Sequence, residues 1–151
     1  MQASLFDSNI WVSVTFAGHP FHKPAKTELL RATRRNPVCI TRAIEHSWLR
    51  LITTAAVQKS SGSPSFTNSD AIATLEFWLS NPRVTTIDEP PGTRALWLQL
   101  ADRPTASPKV WMDAYLAAFA ISGNLRFVTF DSDFSQYRNY GLELELLKPD
   151  I

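Results

Sequence analysis

The stretch RFVTFDSDF, residues 126–134, decides how this chain folds. Its first five residues, in which Phe127, Val128 and Phe130 are apolar, predict a β-strand, and Asp131 follows that strand directly. The stretch LFDSN, residues 5–9, has the same arrangement, because Asp7 comes directly after Leu5 and Phe6. Both aspartates are therefore expected where a strand ends, at the carboxyl edge of one sheet.

Strands alternate with helices along the rest of the chain. Strands are predicted at residues 5–6, 37–40, 84–87, 126–130 and 142–147, and helices at 10–16, 23–33, 41–52, 67–80, 92–101 and 109–122. Leu29 and Leu30 are the expected buried side of the second helix, and the serine-rich segment 60–65 is expected to be a surface loop. Such alternation predicts a three-layer α/β/α sandwich with a mainly parallel sheet, in which sites form beyond the carboxyl ends of the strands.

Length and composition favour one globular domain that covers residues 1–151. Hydrophobic residues make up 44% of the chain and charged residues 19%, which excludes a disordered or fibrous protein. The single cysteine, Cys39, lies in an apolar run and is expected to be buried. We therefore expect a protein without an internal disulfide, located in the reducing environment of the cytoplasm. No secretory signal and no membrane span are expected.

The net charge of +1 neither favours nor excludes a nucleic-acid partner. One local cluster of cations, Arg31, Arg34 and Arg35, fits a basic patch, and it fits equally a solvated helix end.

Two further acids interrupt apolar helical faces. Glu45 lies between Ile44 and Trp48, one turn after the second strand. Asp113 is the only charged residue between Lys109 and Arg126. Aspartate is a poor residue for a helix interior and is rarely buried without a partner, so an acid in the first turn of an apolar helix needs an explanation.

Each acid also has an ordinary structural interpretation. Asp7 and Asp131 fit helix N-caps, Asp113 fits a buried arginine partner or the helix dipole, and Glu45 fits a solvent-exposed position. If the four carboxylates converge, they cannot all stay ionised without a cation. Mg²⁺ and Mn²⁺ prefer oxygen ligands and keep bound water, so convergence would favour metal-assisted phosphodiester hydrolysis.

The order and context of the four acids resemble the PIN-domain family, in its branch of VapBC-type toxins. The segment WMDAYLAAFA, residues 111–120, looks like the family's D-A-x-L-A-A-x-A helix, and VTFDSDF, residues 128–134, looks like its V-T-x-D-x-D-F segment. The segments TRAIE and WLRL, residues 41–45 and 48–51, are similar to the glutamate-bearing helix of the toxin branch. The departure is Trp111-Met112, where many members have a smaller or proline-containing turn.

This resemblance implies a ribonuclease that depends on Mg²⁺ or Mn²⁺. Asp7, Asp113 and Asp131 would hold the metal, and Glu45 would bind it through water or position the attacking water. Asp133 is a further candidate ligand, although capping of the turn at 131–135 explains it better. Thr129 fits a hydrogen bond to a ligand carboxylate or an idle strand position, and Ser8 and Asn9 fit contacts to the carboxylates or ordinary capping.

The resemblance also implies RNA as substrate, a homodimer and a small cognate VapB-like antitoxin that inserts a segment into the acidic cleft. Trp11, Phe16 and Phe21 fit a groove for a partner helix, and they fit a hydrophobic core equally well.

Three other interpretations of these residues exist. A phosphoryl-accepting receiver domain would also be a parallel sheet with an acidic pocket, and its acceptor would be Asp88. A PIN fold that only binds RNA or protein is the second. Metal sites elsewhere are disfavoured: Gln136 stands where a calcium loop starting at Asp131 needs glycine, and His19 and His22 have no further ligand nearby.

Overall fold

A five-stranded sheet forms the centre of the computed structural model, which describes residues 2–63 and 65–149. All strands are parallel and lie in the order β3-β2-β1-β4-β5. They are β1 Ser4–Phe6, β2 Val38–Ile40, β3 Val84–Thr86, β4 Arg126–Thr129 and β5 Glu143–Leu146. The predicted α/β fold with a parallel sheet is confirmed.

The strand order reverses next to β1. The chain passes from β1 outward to β2 and β3, and then returns to the other side of β1 to form β4 and β5. Phe6 of β1 pairs with Val128 of β4, so these two strands end side by side. In open parallel sheets a crevice forms at such a reversal, beyond the carboxyl ends of the two strands.

Seven α-helices and one 3₁₀ helix cover the sheet in the part of the chain described. They are α1 Ser8–Thr15, α2 His22–Arg31, α3 Arg42–Ile52, α4 Ala55–Ser60, α5 Asn68–Leu79, α6 Thr93–Ala101, α7 Val110–Ser122 and the 3₁₀ helix Ser132–Tyr140. Helices α1 to α5 pack among themselves, and α6 packs on α7. None of the helices in residues 2–63 and 65–149 has both the length and the apolar character needed to cross a membrane.

The predicted aromatic residues of α1 belong to the core. Trp11 is fully buried and stacks on Trp48 of α3 with ring centroids 4.7 Å apart. Phe16 is also buried, whereas Phe21 is partly buried and stacks on Phe130 at 4.1 Å. The interpretation of Trp11 and Phe16 as part of a partner groove is therefore wrong, because both side chains are used inside the domain.

Some local expectations differ from the structure. Leu29 is buried, but Leu30 is 51% exposed, because neighbouring helical residues point in directions about 100° apart. The segment before the serine-rich loop forms α4, and the turn after Asp131 continues as a 3₁₀ helix. Within the predicted loop Ser61 is buried, and Pro64 lies outside the described residues.

A buried ion pair closes the opposite edge of the sheet, where the strands begin. Glu28 of α2 is 8% exposed and accepts hydrogen bonds of 2.9 Å from both Arg31 and Arg126. Arg126, the first residue of β4, also lies 3.7 Å from Glu145 of β5. Arg31 of the predicted basic cluster is therefore tied to Glu28.

Candidate active site

Asp7 and Thr129 form the centre of the acidic edge. Asp7 follows β1, its backbone N–H donates to the Val128 carbonyl at 2.9 Å, and its carboxylate accepts a hydrogen bond of 2.8 Å from the Thr129 hydroxyl. The same hydroxyl accepts from the Asn9 side-chain amide and from the Asp131 backbone N–H, both at 3.1 Å. Thr129 thus joins the residues that follow β1 to those that follow β4.

The Asp7 carboxylate is buried beside these donors. It caps α1 by accepting from the Ser8 backbone N–H at 2.7 Å, as the N-cap interpretation predicted. Burial raises the pKa of Asp7 to about 6, hydrogen bonds from Thr129 and Ser8 oppose that rise, and the Asp131 charge adds to it. Hydrogen bonds from two donors favour the charged form of Asp7, but burial disfavours that form more strongly, so the pKa is still raised.

Asp113 faces the same cleft from the first turn of α7. Burial raises its pKa to about 6, and the charges of Asp7, Asp131 and Asp133 raise it further, while Lys109 lowers it. Among the described residues the Asp113 carboxylate makes no hydrogen bond or ion pair, so the predicted arginine partner is absent. We call Asp7, Asp113, Asp131 and Asp133 the acidic cleft.

Asp131 and Asp133 have different surroundings. Asp131 is the N-cap of the 3₁₀ helix, and its carboxylate accepts from the Asp133 backbone N–H at 2.9 Å. Asp133 is exposed, and it is Asp131, not Asp133, that caps this turn. The side chain of Asp133 therefore contributes its charge to the cleft but no cap.

Glu45 stands apart from the other four acids. It is 7% exposed in the first turn of α3, so the expectation of a solvent-exposed position is wrong. Its one ion-pair partner among the described residues is Arg42, at 3.7 Å. A hydrogen bond of 3.0 Å between the hydroxyls of Ser47 and Ser8 ties α3 to the residue next to Asp7. Through this bond the structure places the helix that carries Glu45 at the same sheet edge as Asp7.

The acidic cleft has a net negative charge. No ion pair joins its four aspartates to a lysine, arginine or histidine within residues 2–63 and 65–149. In the same residues no three histidine, cysteine, aspartate or glutamate side chains form a ready-made metal-binding group. The arrangement is a group of carboxylates in which the charges of Asp7, Asp131 and Asp133 raise the pKa of Asp113, and the charge of Asp131 raises the pKa of Asp7.

The other candidate residues have structural roles. His22 Nδ1 lies 2.8 Å from the Ser13 carbonyl, and His19 Nδ1 accepts from the Phe21 backbone N–H. Cys39 is buried in β2, and burial raises its pKa to about 11, which leaves a protonated, unreactive thiol. Asp88 is exposed after the edge strand β3, and the strand order differs from the 2-1-3-4-5 order of receiver domains, so that alternative is wrong.

Sequence reasoning missed three parts of the surroundings. The bond between Ser47 and Ser8 joins residues that no motif connects. Arg103 and Gln136 also lie beside the cleft, and a hydrogen bond of 2.6 Å joins their side chains. The exposed Trp111-Met112 pair departs from the smaller or proline-containing turn of the family. This departure is the sequence signal for the surface beside Asp113.

The comparisons with known proteins agree with this geometry. Residues 4–140 match the PIN domain family. The chain is 40% identical over 144 residues to the ribonuclease VapC41 of Mycobacterium tuberculosis, with 95% of this chain and 97% of that protein covered.

Solved structures share the fold at low sequence identity. VapBC2 from Rickettsia felis, bound to a DNA fragment from its promoter, has a TM-score of 0.64 at 18% identity and covers 96% of this chain and 98% of its own. VapC20 from M. tuberculosis, a sarcin–ricin loop cleaving toxin, has a TM-score of 0.60 at 19% identity and covers 93% and 96%. VapBC-1 from nontypeable Haemophilus influenzae has a TM-score of 0.60 at 16% identity, covering 96% and 98%.

Proposed function

Because this chain belongs to the PIN domain family, we propose that it is an endoribonuclease, the toxin of a type II toxin–antitoxin pair. It hydrolyses phosphodiester bonds of RNA in the cytoplasm. The observation that carries the activity is the acidic cleft, where Asp113 has a raised pKa and, in the described part of the chain, no cation within ion-pair distance. The similarity of this chain to a ribonuclease over nearly its whole length supports RNA as the class of substrate.

The carboxylates fit a hard divalent cation. The charges of Asp7 and Asp131 raise the pKa of Asp113, and the charge of Asp131 raises the pKa of Asp7; a bound cation would remove this repulsion. We assign these three residues as ligands of Mg²⁺ or Mn²⁺, with Asp133 at the exposed rim as a further candidate. When bound, the metal supplies Lewis-acid activation of water and charge stabilisation at the phosphoryl group.

The chain's own residues orient this site. Thr129 holds the Asp7 carboxylate in one orientation, and Asn9 and the Asp131 backbone hold the Thr129 hydroxyl. Ser8 donates its backbone N–H to the other Asp7 oxygen. We assign Glu45 to water: from α3 it would bind the metal through water or position the attacking water.

We also propose a cognate VapB-like antitoxin and a homodimer. The cleft is negatively charged, so a partner segment that carries arginine would neutralise it and exclude RNA and metal together. Its apolar contacts must lie outside Trp11 and Phe16, since those rings are buried in the core.

Cleavage of RNA by the purified protein tests the proposal. We expect cleavage with Mg²⁺ or Mn²⁺, none with EDTA, and none for Asp7→Asn or Asp113→Asn. Asp88→Asn is the matched control, because Asp88 is an exposed carboxylate that follows a strand at the same edge of the sheet. Full activity in folded Asp113→Asn, or cleavage in EDTA, would contradict the assignment; absence of cleavage by the wild type under all metals would support a module that only binds.

A further inference from the structure

An aromatic ring lies exposed on the helix that carries Asp113. Trp111 belongs to the first turn of α7 and is 55% exposed. Its ring packs edge-to-face on Trp97 of α6, with centroids 6.2 Å apart, and its backbone carbonyl accepts a hydrogen bond of 2.9 Å from the Trp97 indole. Because that hydrogen bond uses the main chain, the fold does not need the Trp111 side chain to make it. The ring is thus held in place while about half of its residue's surface remains in water.

An open pocket lies against this ring. It has a volume of about 460 Å³ and is formed by the end of α6, the segment 102–108 and Trp111. Arg103 and Asp102 supply its charged side chains. The Arg103 guanidinium donates to the Gln136 side chain at 2.6 Å and, among the described residues, forms no ion pair with Asp102 or any other acid. Its charge is therefore available to a ligand.

The pocket borders the acidic cleft on two sides. Gln136, which accepts from Arg103, donates in turn to the Asp133 carbonyl at 2.9 Å. Lys109, one turn before Asp113, is near enough to lower the pKa of that carboxylate. Trp111 and Asp113 are two residues apart, so they lie about 200° apart around the same turn, on opposite sides of a helix about 10 Å wide. Arg103 lines the pocket beside Trp111, and Lys109 lies near the Asp113 carboxylate.

We propose that Trp111, Arg103 and Lys109 form a subsite for an unpaired nucleobase of single-stranded RNA, with the base stacked on Trp111. Arg103 and Lys109 bind the phosphates that connect this base to the bond that is cut. The proposal rests on the proposed function, and it narrows the substrate to RNA whose bases are free of pairing beside the cleavage point. An aromatic platform flanked by cations is how single-stranded nucleic acid is bound. The carboxylates bind the phosphate that reacts, and the width of the helix separates them from the Trp111 ring. The base stacked on Trp111 is therefore that of a neighbouring nucleotide.

Binding to short RNA tests the subsite without cleavage. The parent protein is the full chain with Asp113→Asn, in Mg²⁺, and the probe is a fluorescent oligouridine of about 12 nucleotides. We expect Trp111→Ala to weaken binding about 5- to 100-fold and Trp111→Phe to retain most of the affinity. Phe77→Ala, which removes a 62% exposed aromatic ring on α5, is the matched control and leaves affinity unchanged.

An abasic oligonucleotide of equal length separates stacking from a general structural effect. On the abasic probe we expect Trp111→Ala to leave the affinity unchanged. Arg103→Ala should weaken the binding of both probes and lower the salt dependence of binding by the amount expected for about one phosphate contact. Oligonucleotides that carry 4-thiouridine should crosslink to the peptide that contains Trp111.

Three outcomes overturn the subsite: no oligouridine binding by the parent, equal affinity for the parent and Trp111→Ala, or an equal loss on the abasic probe. Binding through Trp111 by a wild-type protein that cuts no RNA supports the subsite while the proposed function fails. Cleavage that is independent of Trp111, with unchanged affinity, contradicts the subsite and leaves the ribonuclease assignment intact.

Discussion

The Thr129 hydroxyl donates a hydrogen bond of 2.8 Å to the Asp7 carboxylate, although 122 positions separate the two residues in the chain. Thr129 is fully buried, and its oxygen also accepts two hydrogen bonds. One hydroxyl thus sets the orientation of the first aspartate and the position of the loop that carries Asp131.

Replacing this hydroxyl by a methyl group should weaken the site and leave the fold intact. We expect Thr129→Val to reduce cleavage at limiting Mg²⁺ about 10- to 100-fold, since residues that orient metal ligands have effects of this size. Thr129→Ser should retain most of the activity, and Thr85→Val, at an exposed threonine of β3, should change nothing. Cleavage rates measured over a Mg²⁺ titration check this; a Thr129→Val curve identical to that of the wild type would contradict it.

The raised pKa of Asp113 predicts a pH-dependent cost in stability. Its pKa is about 6 in the folded protein, above the 3.8 of an unperturbed aspartate, so the folded state binds the proton more tightly and the ionised carboxylate destabilises the fold as pH rises through this window. In EDTA at about pH 7.5, Asp113→Asn should therefore raise Tm by about 2–4 °C, and this gain should vanish near pH 4. Scanning calorimetry at both pH values is the measurement, and a lower Tm for the variant at neutral pH would contradict it.

The buried Glu28 should contribute to stability and not to activity. Glu28→Ala removes the 2.9 Å partner of the partly buried Arg126 and leaves it only the more exposed Glu145, 3.7 Å away, so we expect a loss of about 2–4 kcal/mol in the free energy of unfolding. Glu145→Ala is the control, because Glu145 lies 3.7 Å from the same arginine but is 46% exposed, and it should cost less than about 1 kcal/mol. Urea unfolding compares the two. Equal losses of unfolding free energy in the two variants would contradict this prediction. A loss of specific activity in folded Glu28→Ala would also contradict it.

Glu45 should affect catalysis more than metal binding. Because Glu45 is assigned to the attacking water and its ion-pair partner is the exposed Arg42, we expect Glu45→Gln to slow cleavage at saturating Mg²⁺ about 100-fold, a typical effect of losing a general base. The Mg²⁺ concentration that gives half the maximal rate should change little. Arg42→Ala should leave the rate nearly unchanged. A shift in the Mg²⁺ requirement of Glu45→Gln comparable to that of Asp131→Asn would instead make Glu45 a direct ligand.

The parallel sheet and the positions of the acids could be predicted because both depend on local pattern. Strands that end in Asp7 and Asp131 place both residues at one edge whatever the details of packing, and the structure brings them into electrostatic contact. Leu30 was predicted wrongly because an apolar residue next to a buried one on a helix points about 100° away from it.

Contacts between distant segments could not be read from the sequence. The burial of Glu45, the bond between Ser47 and Ser8, and the place of Arg103 beside the 3₁₀ helix all depend on how helices pack. Pairings of this kind follow from tertiary geometry and not from residue type or spacing, so a single sequence contains no direct signal for them.

The position of β4 beside β1 makes the timing of activity depend on synthesis. The ribosome makes β1 first, and β4 with the turn after it, which together supply Thr129 and Asp131, are made later. A growing chain therefore holds Asp7 without its neighbours and has no complete cleft. We expect fragments that end before residue 126 to leave RNA uncut, so that cleavage becomes possible only once β4 and the turn after it have been made.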